Sequence, residues 1–229
     1  MRLSVIAAGI SCIASLPLQA EVENITISLP NAESSYSGRL FVVFTKNTQA
    51  DPRLSIGDEV APSNASPFFA VDINNWSGEA VEFEPSAGFP LLSISQLEQG
   101  EWQVQALLDQ NKVLSDLDSP GNYYSLPQTL QINSKSSSLN FTLTENVKDE
   151  GLPNDTAILK YVQIRSDLLS EFYGEDIYLR ASVLLPPNHS EDSNERYPVL
   201  YQIAGLNGRF TRSQNLLADR EFMDYWQDA

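Results

Sequence analysis

The sequence has 229 residues, 42% hydrophobic and 10% aromatic, with 14 basic against 30 acidic side chains and a formal net charge of −16. That much core-forming material excludes a disordered tail, and the acid excess excludes the basic stripe needed to neutralise the phosphates of a nucleic acid. One Cys and one His in the whole chain exclude an intramolecular disulfide and a zinc site of Cys/His type, while the length accommodates one large domain or two modest ones.

The N-terminus reads as an export signal over residues 1–20. Arg2 supplies a positive start, Leu3 to Leu18 form an apolar stretch broken by small residues, and Ala20 is a small residue suited to cleavage before Glu21. The run falls short of the roughly 20 apolar residues that span a bilayer and has no basic stop after it, so no membrane attachment is expected once it is removed. Cys12 leaves with this segment, because Gly9-Ile10-Ser11-Cys12 lacks the Leu that opens a lipobox. An exported chain without cysteine fits a bacterial periplasm or exterior. Sequons at Asn24, Asn64, Asn75 and Asn140 point instead to a eukaryotic secretory route, but weakly, since a chain rich in Asn, Ser and Thr produces them by chance.

Residues 21–147 carry the period of strands. Trp102, Val104, Ala106 and Leu108 alternate with polar neighbours, as do Leu139, Phe141 and Leu143. Leu40 to Phe44 is apolar on both faces and reads as a central strand, and Phe68 to Ile73 as a short one. Turn-rich clusters at 61–64, 74–78 and 119–122 separate these runs. With no helical period, the segment predicts an all-β, antiparallel sandwich. Trp76, in the Asn/Gly-rich turn, is either a ligand platform or a residue packing back on its own domain. Asp116-Leu117-Asp118-Ser119-Pro120-Gly121 has the outline of a calcium loop, but Pro120 stands at a ligand position and Pro127 where a bidentate Glu should close it, so a solvated loop is expected.

Within this segment Leu97-Glu98-Gln99-Gly100-Glu101-Trp102-Gln103-Val104-Gln105-Ala106 resembles the strand entry of transthyretin-like and other immunoglobulin-like accessory domains. The resemblance implies a turn at Gly100 and an aromatic at 102 that fills the sandwich core. It names no ligand.

Residues 148–156 are polar and interrupted by Gly and Pro, the composition of an interdomain linker. Beyond it, Ile158–Arg165 reads as a strand, Leu168–Tyr173 as a short apolar connection ending at Gly174, and the alternation from Ile177 to Leu185 as a second strand stopped by Pro186-Pro187. Tyr197–Ile203 is apolar on nearly every position and predicts an interior strand covered on both faces. It runs into Ala204-Gly205-Leu206-Asn207-Gly208, and one helix is expected from about Ser213 to Trp226.

The stretch from Leu168 to Gly208 resembles the esterase family that includes enterochelin-esterase-like and esterase D-like enzymes. The resemblance rests on Leu-Leu-Ser-Glu-Phe-Tyr-Gly at 168–174, Val-Leu-Leu-Pro-Pro at 183–187, and Arg-Tyr-Pro-Val-Leu-Tyr at 196–201 before the glycine loop. It implies the first strands of an α/β-hydrolase domain at 157–229 and an oxyanion-hole loop at 204–208. There Ala204 replaces the usual His and Asn207 a Gly, and the backbone N–H of Leu206, then that of Asn207, is the candidate donor. No Gly-x-Ser-x-Gly follows residue 208, and His189, the single His, precedes the position that the triad His takes in this family, so it is expected at the surface.

An apolar strand followed by one helix leaves a sheet edge open, which soluble proteins avoid. The sequence is therefore expected to be the N-terminal part of a longer exported serine esterase acting on a small ester, inactive alone and needing no cofactor or metal. The alternative is a complete periplasmic binding or adhesion module whose β-sandwich carries the function. Expression in an exporting bacterial host tests the signal: N-terminal sequencing of the purified product should begin at Glu21, and a product beginning at Met1 refutes the processing.

Overall fold

The computed structural model describes residues 22–30, 35–49, 51–56, 66–83, 88–89, 93–133, 137–186, 189–190, 194, 196–203, 205 and 208–228. The chain is β-rich and divides into two compact units, residues 1–148 and 149–229. No helix among the described residues is long and apolar enough to cross a membrane.

The first unit holds β1 (Val22–Ser28), β2 (Tyr36–Thr45), β3 (Phe68–Trp76), β4 (Val81–Glu82), β5 (Gly88–Phe89), β6 (Gly100–Asp109), β7 (Tyr123–Tyr124), β8 (Gln128–Ile132), β9 (Ser137–Thr142) and β10 (Glu145–Asn146). They form a small sheet in the order β4-β1-β9 and a larger one in the order β10-β7-β6-β2-β3-β5, with β8 also on β6. Ile25, Ile27, Leu139 and Phe141 of the small sheet and Leu40, Val42, Phe44, Phe69, Trp102 and Val104 of the large one belong to a single buried cluster. The two sheets thus enclose one core, and alternation along each strand sends every second side chain into it. Phe44 is fully buried and makes edge contacts with Phe69 at 5.7 Å and Trp102 at 6.4 Å between ring centroids.

The central position of β2 follows from its composition. Leu40, Val42 and Phe44 face the core, while Val43 and Thr45, on the opposite face, are equally buried. A short 3-10 turn at Pro52–Leu54 lies over β2 and β6 on that side. Both edges of β2 are laddered, antiparallel to β3 (Leu40 opposite Val71) and to β6 (Leu40 opposite Leu108). Gly38 marks a register shift against β3, where a Cβ would stand 2.2 Å from the carbonyl oxygen of Asp109. Trp102 lies in the core as expected, and Gly100 before it takes the left-handed φ of 130° that favours glycine.

Three expectations for this unit are corrected. The sandwich is not wholly antiparallel: β1 pairs with β9 in parallel, from Val22 opposite Ser137 to Ser28 opposite Thr142. These strands come from opposite ends of the unit, so their connection is a long crossover and no hairpin fixes their sense. The cluster at 74–78 is not simply a turn, because β3 continues through it to Trp76 with Asn75 at φ 53°. This kink aims Trp76 into the core, where it is 6% exposed and its indole N–H donates to the Glu79 carbonyl at 2.9 Å, so it presents no ligand platform. The loop after β6 is not simply solvated, as its hydrogen bonds below show. The 61–64 cluster lies outside the described residues.

The second unit contains β11 (Leu159–Arg165), α1 (Asp167–Tyr173), β12 (Tyr178–Leu184), α2 (Ser213–Ala218) and α3 (Arg220–Asp228). β11 and β12 form an antiparallel pair from Leu159 opposite Leu184 to Arg165 opposite Tyr178. The connection read as merely apolar is a helix. Ser166 caps the start of α1 through the Leu169 N–H, and Gly174, at φ 76°, ends it in the left-handed conformation. Buried Ser170 then accepts from the Ile177 N–H at 2.9 Å, turning the chain into β12.

The expected linker is largely tied to this second unit. Asp149 forms a two-pronged contact with Arg180 of β12, and Asp155 accepts from the Tyr161 N–H at 2.9 Å. The single helix expected over 213–226 is two, broken at Asp219, whose extended backbone ends α2 and whose carboxylate accepts from the Phe222 N–H at 3.1 Å. An Asp side chain that captures a backbone N–H favours a helix start over a helix interior.

The largest correction concerns Tyr197–Ile203. It is not a strand: no ladder partner flanks it among the described residues, and Leu200, Tyr201 and Ile203 are 86, 87 and 95% exposed. Apolar composition favours an interior strand only where neighbouring strands take up its N–H and C=O groups, and no described strand ladders it.

Gly38→Ala should lower stability by about 1–3 kcal/mol, because the methyl group meets backbone and must displace it; a denaturant midpoint equal to that of the parent refutes the close approach.

Candidate functional site

Two regions bring together polar chemistry. In the first unit, the loop that leaves β6 is organised by Asn122, which is completely buried. Its Oδ1 accepts from the N–H groups of Gln110 at 2.9 Å and Asn111 at 3.0 Å, and its Nδ2 donates to Asp109 and to the Leu117 carbonyl. Asn111 in turn accepts from Val113 and Leu114 and donates to the Pro120 carbonyl. Buried amides must be satisfied in this way to avoid a cost of about 1–3 kcal/mol per unmet group.

Beside this loop Arg53, 6% exposed, pairs with Asp118 at 2.8 Å and Asp51 at 3.0 Å and lies 4.1 Å from the centroid of the Tyr124 ring. The Arg53 N–H donates to Gln105, itself buried on β6, whose amide reaches the Ser125 carbonyl at 2.7 Å. The carboxylates of the supposed calcium loop are thereby accounted for: Asp118 holds a guanidinium, and Asp116 accepts from the Asp118 N–H. No group of three or more His, Cys, Asp or Glu among the described residues is arranged to hold a metal ion. This cluster fastens the 51–55 turn to the large sheet and presents no open ligand face.

The second region lies in the second unit, after the glycine loop. Its base is the β11–β12 pair. Tyr161 packs edge-on against Phe210 at 6.2 Å, and its hydroxyl receives the Gln214 amide at 2.7 Å. Ser182 donates to the Phe210 carbonyl and accepts from the buried Ser213 hydroxyl at 2.5 Å. The Trp226 indole N–H donates to the Leu185 carbonyl at 3.0 Å. The 210–214 segment is thus held to the strand pair, and α3 to the residue that follows β12. Ahead of it, the Gly208 N–H donates to the Gly205 carbonyl at 2.9 Å, closing a tight turn. An open cleft of about 510 Å³ follows, lined by residues that include Gly208, Arg209, Thr211, Arg212, Asn215 and Asp219.

Leu206 and Asn207, the expected oxyanion donors, lie outside the described residues, as does Ala204. Gly205 and Gly208 bracket them. His189 is exposed, its N–H donates to the Pro186 carbonyl at 3.0 Å, and its ring lies 5.9 Å from that of Tyr197. Sequence reasoning missed the cleft beyond the loop. Its signal was the pair Arg209 and Arg212 in a chain short of cations.

No protein-family model, no curated protein and no solved structure matches this chain.

Among titratable groups beside the Asn122 loop, burial pushes the Asp109 carboxyl above its ordinary 3.8, outweighing the hydrogen bonds from Asn122 and the Asn111 backbone. A raised carboxyl value means the folded chain holds the proton more tightly than the unfolded one. Its contribution to stability is full below the unfolded value and is lost as pH rises through the folded one. Asp109→Asn keeps an oxygen for Asn122 and removes the charge. Its stability relative to the parent should therefore increase between about pH 3.5 and 7, and thermal melts in which the difference is flat or falls with pH refute the assignment.

Proposed function

We propose that this chain is the N-terminal part of an exported serine ester hydrolase of the α/β-hydrolase type. In this reading residues 1–20 are the export signal, 21–147 an immunoglobulin- or transthyretin-like accessory domain, and 157–229 the first portion of the hydrolase domain. The observation that carries it is the segment Tyr197–Ile203. It is apolar, forms no strand ladder among the described residues and is exposed from Val199 to Ile203, and it follows an antiparallel strand pair and leads into the Gly205–Gly208 turn. A segment of that composition becomes stable when laddered within a sheet whose two faces are covered, and a hydrolase sheet supplies that setting.

The chemistry follows from the loop. The backbone N–H of Leu206, or that of Asn207, would donate to the oxyanion that forms when a nucleophile attacks the ester carbonyl, stabilising the tetrahedral intermediate. The Ser that attacks, the His that takes its proton and the acid that orients the His would come from sequence following Ala229. Export to the periplasm or exterior agrees with the cysteine-free chain after residue 12. The substrate is a small ester, with no cofactor.

The test has two parts. The reading frame in the source DNA should continue through a Gly-x-Ser-x-Gly and then an Asp and a His. The purified 229-residue chain should give no turnover of short-chain acyl esters above buffer. Turnover by this chain that a serine-directed inhibitor abolishes overturns the proposal, as does a stop codon directly after Ala229 with a stable product, which favours the binding-module reading.

A further inference from the structure

The ladder geometry of the β11–β12 pair shows which of its edges is open. The Tyr161 N–H points away from β12 and donates to Asp155 at 2.9 Å, while Thr156 and Leu159 exchange hydrogen bonds, so the chain itself closes the start of the outer edge of β11. Tyr161 stands opposite Ser182. In an antiparallel pair, directly opposed residues either both bond across the ladder or both turn their N–H and C=O groups away from it. Those of Ser182, and of Arg180 and Leu184 two positions to either side, therefore point outward from β12, and no described strand takes them up. One face of the pair lies under the 210–214 segment. The other carries Val162, Ile164, Leu179 and Val183, which are 38, 65, 57 and 39% exposed. An apolar face that ends at an open edge is a template for a further strand.

The same chain holds a segment of matching form. Tyr197–Ile203 has seven residues, as β12 has, so each spans about 23 Å when extended. It carries no charge, Val199 to Ile203 are exposed, and no described strand ladders it. Charge favours a meeting of the two. Residues 196–212 include Arg196, Arg209 and Arg212 and no acid, whereas residues 149–184 hold seven acids against three bases. Two copies therefore attract at this contact, although a net charge of −16 on each opposes association elsewhere. Size decides how they meet. The exposed face, two strands together about 10 Å wide and 23 Å long, offers about 230 Å² against the roughly 800 Å² per partner of a stable interface. Stacking face to face falls short, whereas exchange of the segment adds main-chain bonds and a further strand from each copy.

We propose that Tyr197–Ile203 of one copy of this chain adds as a third strand to the open edge of β12 in a second copy, and that the exchange is reciprocal, closing a twofold dimer. Main-chain bonds run to Arg180, Ser182 and Leu184, and alternate side chains of the added strand extend the apolar face of Val162, Ile164, Leu179 and Val183. Pro198, which has no N–H, is tolerated because the added strand is itself an edge. The pairing is read by mass and amide exchange and not by turnover, so it holds or fails separately from the hydrolase reading.

Sedimentation velocity of the full chain at rising micromolar concentration should show monomer giving way to dimer, and amide hydrogen exchange at Arg180, Ser182 and Leu184 should slow as the dimer forms. Leu200→Lys, at a side chain 86% exposed in the single chain, should raise the dissociation constant at least about tenfold, since burying a leucine is worth roughly one to two decades in an equilibrium constant. Leu168→Lys, at an equally exposed apolar position on α1, should leave the constant unaltered and so separates the segment from general stickiness. Sodium chloride raised from about 50 to about 500 mM should weaken the dimer, because salt screens the attraction between the arginine-bearing segment and the acidic strand pair. The proposal is overturned by a chain that stays monomeric, by a dimer that Leu200→Lys leaves intact or that Leu168→Lys weakens as much, by exchange at the β12 amides that ignores concentration, or by an affinity that does not fall with salt.

Discussion

An apolar strand needs two things at once: ladder partners on its edges and cover on its faces. The first unit is organised around one strand for which both are met. β2 is laddered by β3 and β6, its inner face lies on the core shared with the small sheet, and its outer face lies under the 52–54 turn. Burying a side chain such as Phe44 is worth about 1.5–3 kcal/mol, but only because the accompanying backbone groups are paired in the ladder. The same demand, unmet by any described strand at Tyr197–Ile203, leaves that segment without strand structure and the side chains of Val199 to Ile203 exposed.

The outer cover of β2 depends on polar groups. Arg53 sits between Asp51, Asp118 and the Tyr124 ring, and its backbone N–H is taken by Gln105 from the middle of β6. A buried guanidinium is costly without partners, and here two carboxylates and an aromatic face supply them. Asn122 plays the matching part for the loop that carries Asp118. Two regions far apart in sequence are thus fastened to one sheet by side chains that satisfy each other.

Much of the fold was legible. Alternation at Trp102–Leu108 and Leu139–Leu143, and the doubly apolar run at Leu40–Phe44, mark strands because a pleated backbone and a buried face impose a period of two. β1 escaped notice because its Asn24-Ile25-Thr26-Ile27-Ser28 alternation is short and polar at every second position, and its parallel partner is β9, more than a hundred residues away. The break at Asp219 was written in an Asp within a helical run. The candidate site was legible only as a glycine loop; the cleft beside it arises from where Tyr161 and Ser182, on two different strands, hold the 210–214 segment, and no local pattern carries that.

By itself the sequence determined the β-rich character, the acidic charge, the absence of a Cys/His metal site and the change of pattern near residue 148. These depend on composition and on neighbours along the chain. The tertiary structure alone decided which strands meet, that Asp118 pairs with Arg53, that Trp76 turns inward, and that the apolar run before Ala204 joins no sheet among the described residues. Each of those is a choice among partners distant in sequence, made by which ladders and faces are available to close.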